Sequence, residues 1–465
     1  STDFDTSDKL YFEPVFWEHI YDIILHEKPE GVIVQLGGQT ALKLAEKLSR
    51  YGIKILGTSY EALDLAEDRG SFSNLLKEND IPYPKYGVVE SAEQAIELSN
   101  ELGFPLLVRP SYVLGGRGME ILSSNRQLET YMNDAFLSPE KPLLVDEYLG
   151  NAVELDVDAV CDGREVLVGA IMEHLEEAGI HSGDSTCFIP TQNISQDMLK
   201  RVEEQTKIIG LNLKIKGCYN IQFAIQGDDL FCLEVNPRSS RTVPFVAKSS
   251  GLPLARIAAR ITIGIPLSQQ EIPRRTSGKV CVKAPVFPFI KLRGLDPAPG
   301  PEMKSTGEVF GSDVRADLAY LKARLATEVP VATEGGAYLT VREEDKVDLI
   351  PVAQSLVDLD FTIYATPGTA DVLRKANIPV TTSYRIAERM HPDSLDLMRK
   401  GEVSFIVNVP TISGGAVRDG NMMRRLAVEL NIPFVTTMRG AVMEVAAMKA
   451  RLEHDLEPMH LEVNY

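Results

Sequence analysis

Hydrophobic and polar positions along the first sixty or so residues switch between two periods. "FWEHIYDIILHEKP" and "TALKLAEKLSRYG" repeat apolar residues at helical spacing, and Gly52 closes the second. "GVIVQL" and "IKILG" are short, continuous apolar runs of the kind that form buried strands. Helix and strand in alternation predict a parallel, doubly wound sheet over residues 1–58. The opening "STDFDTSDKLYFEP" carries no preceding strand and glycine turn, so the expectation is a sheet domain entered part-way through. From 59 to 275 shorter strands, hairpins and loops mix with helices, an α+β texture. Residues 276–332 include the Pro- and Gly-rich "VKAPVFPFIKLRGLDPAPGPEMKSTGEVFG", the helical "ADLAYLKARLA" and the linker-like "ATEVPVATEGG". Over 333–465, strands predicted at "AYLTVRE", "FTIYAT", "IPVTT", "VSFIVNV" and "IPFVTT" alternate with helices such as "DLIPVAQSLVDL" and "NMMRRLAVELN". That is a second, smaller parallel α/β layer. The fold class is multidomain, α/β and α+β.

Composition narrows this picture by exclusion. A chain of 465 residues exceeds one core, and about two to four domains are expected. A net charge of -18 disfavours a nucleic-acid partner, yet a few local arginines suffice for a nucleotide. Cys161, Cys187, Cys218, Cys232 and Cys281 are scattered with no C-x-x-C pair, most of them in apolar runs. Reduced, buried thiols in a cytoplasmic protein are expected. No apolar run approaches the roughly 20 residues of a membrane span, and no signal peptide leads the chain, so no membrane partner is expected.

Chemistry concentrates in "NIQFAIQGDDLFCLEVNPRSSRTVPF". "IQFAI" and "LFCLEV" read as strands joined by a three-residue "GDD" turn. With Gln226 facing Leu230, Gln222 faces Glu234, and Asn236 shares the face of Glu234. Three side-chain oxygens would then converge, a donor set suited to Mg²⁺. Ile221, Phe223, Leu233 and Val235 form the opposite, apolar face. A hairpin with one solvated face shows the same alternation, so the pattern alone leaves both readings open. The continuation favours a site. Pro237 holds Asn236 extended, and Arg238 and Arg241 offer planar donors to carboxylate or phosphate oxygens just beyond it.

"LEVNPRSSRTVPFVAK", "PLLVRPSYVLGGRGMEI", "VELDVDAVCDG" and "GIHSGDS" together make the chain resemble the large subunit of the carbamoyl-phosphate synthetases, ATP-grasp enzymes. The likeness runs along the whole chain and corresponds to the second half of that subunit. It implies a truncated pre-ATP-grasp sheet over 1–58, an ATP-grasp domain over 59–275, the end of the synthetase unit and a linker over 276–332, and a methylglyoxal-synthase-like regulatory domain over 333–465. The implied activity is ATP-dependent phosphorylation of carbamate, the second phosphorylation of carbamoyl-phosphate synthesis, which feeds pyrimidine, arginine and urea formation.

Residue by residue, the resemblance gives Arg109 a role on ATP phosphates and makes Gly115 and Gly116 a turn that closes over them. It gives Glu147, Leu149 and Glu154 the adenine edge and ribose hydroxyls. Gly179, Ile180, His181 and Ser182 line the nucleotide pocket. Gln222, Glu234 and Asn236 are the divalent-metal ligands, Mg²⁺ or Mn²⁺. Arg238 and Arg241 hold carbamate, and Arg69 joins them at the phosphates. A monovalent cation such as K⁺ is implied at Glu154, His174, Glu176 and Ser185, although Glu177 stands where the family pattern carries glutamine.

In the C-terminal layer, "YATPGTADVLRKA" is a strand, a turn and a helix start, suited to phosphate and equally to ordinary capping. The family places an effector phosphate at Thr366 and Thr369, with Lys346 and Arg385 as cationic partners and Asn408 nearby. Val409 and Pro410 replace hydroxyls of the nucleotide-regulated form, which leaves the effector open. The implied partners are ATP or ADP, carbamate, a small effector, and in the parent enzyme an N-terminal synthetase half and a glutaminase. Homo-oligomerisation is left open. Another ATP-grasp ligase, or a nucleotide-binding fragment without turnover, stands as the alternative.

Overall fold

The computed structural model describes residues 7–110, 118–135, 142–273, 278–289, 296–410 and 415–460. The first predicted helix forms over Trp17–Glu27, and the second divides into Gly38–Leu42 and Ala45–Arg50. The doubly wound sheet expected here is reduced, among the described residues, to one parallel bridge, Val32 to Ile55. The Val32 N–H donates to Lys54 O and the Leu56 N–H to Val32 O, both at 2.9 Å. The two apolar runs do lie parallel, but a pair without further strands supports little ladder. Trp17, Ile20 and Ile24 cover them together with buried Val34, Leu42 and Leu48.

A four-stranded antiparallel sheet follows: β1 (Tyr86–Val89), β2 (Leu106–Pro110), β3 (Glu120–Leu122) and β4 (Leu143–Glu147), in the order β1-β4-β2-β3. The central sheet has seven strands, β5 (Val153–Asp162), β6 (Val166–Glu177), β7 (Cys187–Ile189), β8 (Lys216–Gln226), β9 (Asp229–Asn236), β10 (Val280–Val286) and β11 (Gly307–Asp313). Their order is β11-β10-β7-β6-β5-β8-β9. β10 and β11 come from the Pro- and Gly-rich stretch after 275, so this sheet runs on to Asp313.

β5 shows why the sheet is two-faced. Leu155, Val157, Ala159 and Cys161 enter one core, while Glu154, Asp156 and Asp158 line the other face. All five cysteines are buried and free, as their apolar settings predict.

The five strands predicted after 333 all form. β12 (Gly336–Thr340), β13 (Thr362–Ala365), β14 (Thr381–Thr382), β15 (Phe405–Asn408) and β16 (Phe434–Val435) make a parallel sheet ordered β14-β13-β12-β15-β16. Its core is continuous with that of the central sheet: Leu175, Phe188 and Val282 share one buried cluster with Ala337, Leu339, Phe405 and Met448. Among the described residues, no helix is long and apolar enough to cross a membrane.

Candidate functional site

The β8–β9 hairpin brings the predicted oxygen ligands together, by a register different from the expected one. The turn has two residues, Gly227 and Asp228, and Gln226 pairs with Asp229 rather than Leu230. Gly227 sits at φ +61°, where two-residue hairpins favour glycine. A bulge between Gln222 and Phe223 then restores the pairing, so that Gln222 faces Glu234 and Asn220 faces Asn236. Leu233 is thereby moved out of the core with Ile221, Phe223 and Val235 and packs with Leu149, Ala178 and Phe231 on the other side.

β5 extends the register into rows. Asp156 faces Gln222, which faces Glu234; Asp158 faces Asn220, which faces Asn236. The Asn236 amide donates to Glu234 Oε1 at 2.8 Å, and Arg238 Nη2 donates to Asn236 Oδ1 at 3.2 Å. Gln222 has no side-chain hydrogen-bond partner among the described residues. One carboxylate and two amides, partly exposed and lightly committed, fit a hard divalent cation.

The arginines around this row are held by acids that sequence reasoning passed over. Buried Asp146 on β4 pairs with Arg69 at 2.8 Å through Oδ1 and lies 3.2 Å from Arg109 Nε through Oδ2. Arg69 also donates to Leu233 O at 2.8 Å and stacks over Tyr86, so it ties the small sheet to the hairpin. Asp158 accepts from Ser240 Oγ at 2.7 Å and from Thr242 Oγ1 at 2.6 Å, gripping the "RSSRT" turn. Burial pushes the Asp158 carboxyl up to about 6, against those hydrogen bonds. Arg238 is half-buried, which lowers its pKa, whereas Arg241 is exposed and donates to Met303 Sδ at 2.9 Å. Gln35, from the N-terminal segment, donates to Pro237 O at 2.7 Å and braces the same turn. The alternation of Glu154, Asp156 and Asp158 in "VELDVDA" was the available signal for this second row.

Next to the Gln222–Glu234–Asn236 row lies a cluster of buried charged side chains. His174 Nε2 is 3.2 Å from Asp156 Oδ2, and its Nδ1 is 3.7 Å from Glu154 Oε1. Burial lifts Glu154 to about 7 and raises Glu176. Burial opposes the charged form of His174, but Cys187, Asp156 and Glu154 outweigh it and raise the imidazole well above its ordinary value. His174 Nδ1 and Ser185 Oγ are buried without hydrogen-bond partners. The carboxylates of Glu154 and Glu176 and the unpartnered Ser185 Oγ are oxygen donors of the kind that fit a weakly hydrated monovalent cation. The unexpected acid Glu177 is matched by Arg342, 3.0 Å away in the loop after β12.

The residues that the resemblance assigns to the nucleotide have these partners. Gly179 N–H donates to Glu154 Oε2 at 3.3 Å. His181 N–H donates to Gly300 O at 2.9 Å, and burial lowers its imidazole pKa. The buried Lys283 donates to Ser182 O at 2.9 Å, supporting the turn from beneath. Glu147 accepts from Lys85 N–H at 3.3 Å, and Leu149 lies in the small apolar cluster with Ala152 and Ala224. The Ile180 N–H donates to Glu177 O at 3.4 Å. Gly115 and Gly116 lie outside the described residues.

In the C-terminal sheet, Thr366 caps the helix Pro367–Lys375, its hydroxyl 3.3 Å from that of Thr369. Lys346 lies over Gly368 and is paired with Glu343. Asn408 is buried and accepts from Arg424, and Arg385 is exposed with its N–H donated to Glu388. Thr366 and Asn408 thus stand at the C-terminal ends of β13 and β15, where parallel sheets take ligands, while no contact ties Arg385 to them among the described residues.

A seven-stranded sheet carrying acids, amides and arginines beneath a small antiparallel sheet defines an ATP-grasp unit. Two solved structures share the fold: N5-carboxyaminoimidazole ribonucleotide synthetase from Thermotoga maritima (TM-score 0.53, 17% identity, 70% of this chain and 87% of that one) and the biotin carboxylase domain of Hydrogenobacter thermophilus 2-oxoglutarate carboxylase (TM-score 0.51, 17% identity, 61% and 65%). Family models match in series: the carbamoyl phosphate synthase preATP-grasp domain over 1–65, the carbamoyl-phosphate synthase L chain ATP binding domain over 68–270, and an MGS-like domain over 348–436. The "large chain, C-terminal section" of carbamoyl phosphate synthase from Methanocaldococcus jannaschii is 46% identical over 97% of this chain and 75% of its own length. The corresponding section from Aquifex aeolicus is 44% identical over 97% and 87%. The chain belongs to the carbamoyl phosphate synthase large-chain family. It spans 42% of the full large chain of Archaeoglobus fulgidus, at 46% identity.

Proposed function

We propose that the chain phosphorylates carbamate from ATP to give carbamoyl phosphate, as the second synthetase unit of a cytoplasmic carbamoyl-phosphate synthetase. The observation that carries this reading is the linked row Gln222–Glu234–Asn236–Arg238, with Asn236 bonded to both Glu234 and Arg238. Gln222, Glu234 and Asn236 would hold Mg²⁺ or Mn²⁺, which when bound neutralises phosphate charge. Arg69 and Arg109, set by Asp146, hold phosphate oxygens; Arg238 and Arg241 hold carbamate in line with the phosphorus. Little covalent chemistry is asked of the side chains, so positioning and fixed charge supply the rate. The acyl phosphate product hydrolyses readily, and closure of the nucleotide loops over it keeps water out.

K⁺ sits at Glu154, His174, Glu176 and Ser185 in this reading, with the oxygens of Glu154, Glu176 and Ser185 as its donors, and the unpartnered Ser185 Oγ supports that choice. Thr366, Thr369 and Lys346 take the phosphate of a small effector. The partners are an N-terminal synthetase half and a glutaminase that supplies ammonia. The test is ATP formation from ADP and carbamoyl phosphate. Glu234→Ala is expected to lower it by about 10²-fold or more while melting like the unaltered chain. Undiminished turnover in that variant would remove the metal assignment.

A further inference from the structure

We propose that Arg424 is a positioning residue for the carbamate site, acting through Asp296 across the boundary with the C-terminal sheet; this rests on the function proposed above. In "NMMRRLAVELN" Arg424 reads as one more charge on an amphipathic helix. In the structure it is 1% exposed, among the largest fully buried side chains among the described residues. Its Nε donates to Asp296 Oδ1 at 2.9 Å and its Nη2 to Oδ2 at 2.5 Å, a bidentate pair, and its Nη1 donates to Asn408 Oδ1. Burial works to raise the Asp296 carboxyl, but the Arg424 hydrogen bonds and charge prevail and lower it. A buried ion pair contributes little net stability compared with apolar residues of the same volume, whereas it fixes one geometry well.

That geometry reaches the chemistry through residues 296–305. Lys304 Nζ donates to Asp296 O at 3.1 Å and Ala298 O at 2.5 Å. The N–H groups of Lys304 and Ser305 donate to the Asp184 carboxylate at 2.8 and 2.9 Å, and Ser305 Oγ donates to Gly183 O. Gly300 O receives the His181 N–H, and Met303 Sδ receives the Arg241 guanidinium. One loop is therefore anchored in the C-terminal sheet by Arg424 and bonded to both the nucleotide turn and a carbamate arginine. Asn408, which the resemblance sets beside the effector, is the second partner of Arg424, so a ligand that takes the Asn408 amide oxygen competes with the guanidinium.

The experiment is the ADP plus carbamoyl phosphate reaction in Asp296→Asn and Arg424→Gln. The KM for carbamoyl phosphate is expected to rise about tenfold or more in each, and the KM for ADP to rise clearly less, through the bonds of the same loop to the nucleotide turn. The double variant is expected to be no worse than the poorer single one, and Asp296→Asn to add no loss in an Arg241→Ala background. An unchanged KM for carbamoyl phosphate in folded Asp296→Asn overturns the proposal, and so does an equal rise in both constants. Should both variants melt early, Met303→Leu breaks the same relay at its far end, with the same split predicted and the same results overturning it. Absence of any ATP formation by the unaltered chain would instead overturn the proposed function.

Discussion

Asp158 is fully buried, and two hydroxyls of the arginine turn, Ser240 and Thr242, hang from its carboxylate, with Asn220 beside them and Asp156 adjacent. Its folded pKa of about 6 lies above the ordinary aspartate value, so the folded chain binds this proton more tightly than the unfolded one. Its contribution to stability therefore falls as pH rises from about 4 to about 6 and is level above that, by about 2–3 kcal/mol in all. Asp158→Asn removes the slope. The melting temperature of the variant minus that of the unaltered chain is predicted to increase across that window in thermal melts, and a flat difference would contradict the assignment. Asp158 was legible in the acid alternation of "VELDVDA". Asp146 was not, because its partners Arg69 and Arg109 lie 77 and 37 positions away and meet it only when three elements pack.

The β8–β9 hairpin shows how much a strand pattern can carry and where it stops. Period-two alternation placed Gln222 opposite Glu234, but the turn assumed between them was one residue too long. The bulge compensates, and the skipped residue Leu233 reads in sequence as one more apolar position of "LFCLEV", with nothing to mark it as unpaired. By it Leu233 joins Phe231 and Leu149, the latter proposed for the adenine edge, in one apolar cluster. Leu233→Ala is predicted to raise the KM for ADP by about 5–30-fold, the equivalent of about 1–2 kcal/mol of lost apolar burial, with kcat nearly unchanged. Steady-state kinetics in the ATP-forming direction checks this. A lowered kcat at unchanged KM would return Leu233 to a purely structural role.

Across the whole chain, the layers were readable because each has its own period: parallel strands after 333 are short apolar runs between helices, and the central sheet alternates. What joins them was not readable. The shared core of Leu175, Phe188, Ala337 and Met448, and the contacts of Arg342 with Glu177 and of Arg439 with Glu176 O, join the central sheet to segments more than about 140 residues further along the chain. Two arginines of the C-terminal layer thus hold the end of β6 beside the proposed cation site, and a third reaches the loop of residues 296–305 through Asp296. All of this presupposes an ion under the phosphates, seated on Gln222, Glu234 and Asn236. The direct measurement is the electron paramagnetic resonance signal of free Mn²⁺ titrated with the chain in the presence of ADP. The signal is predicted to fall on binding to the unaltered chain, and the affinity to weaken by about 10²-fold or more in Glu234→Ala. Equal Mn²⁺ binding by the two proteins would contradict the account.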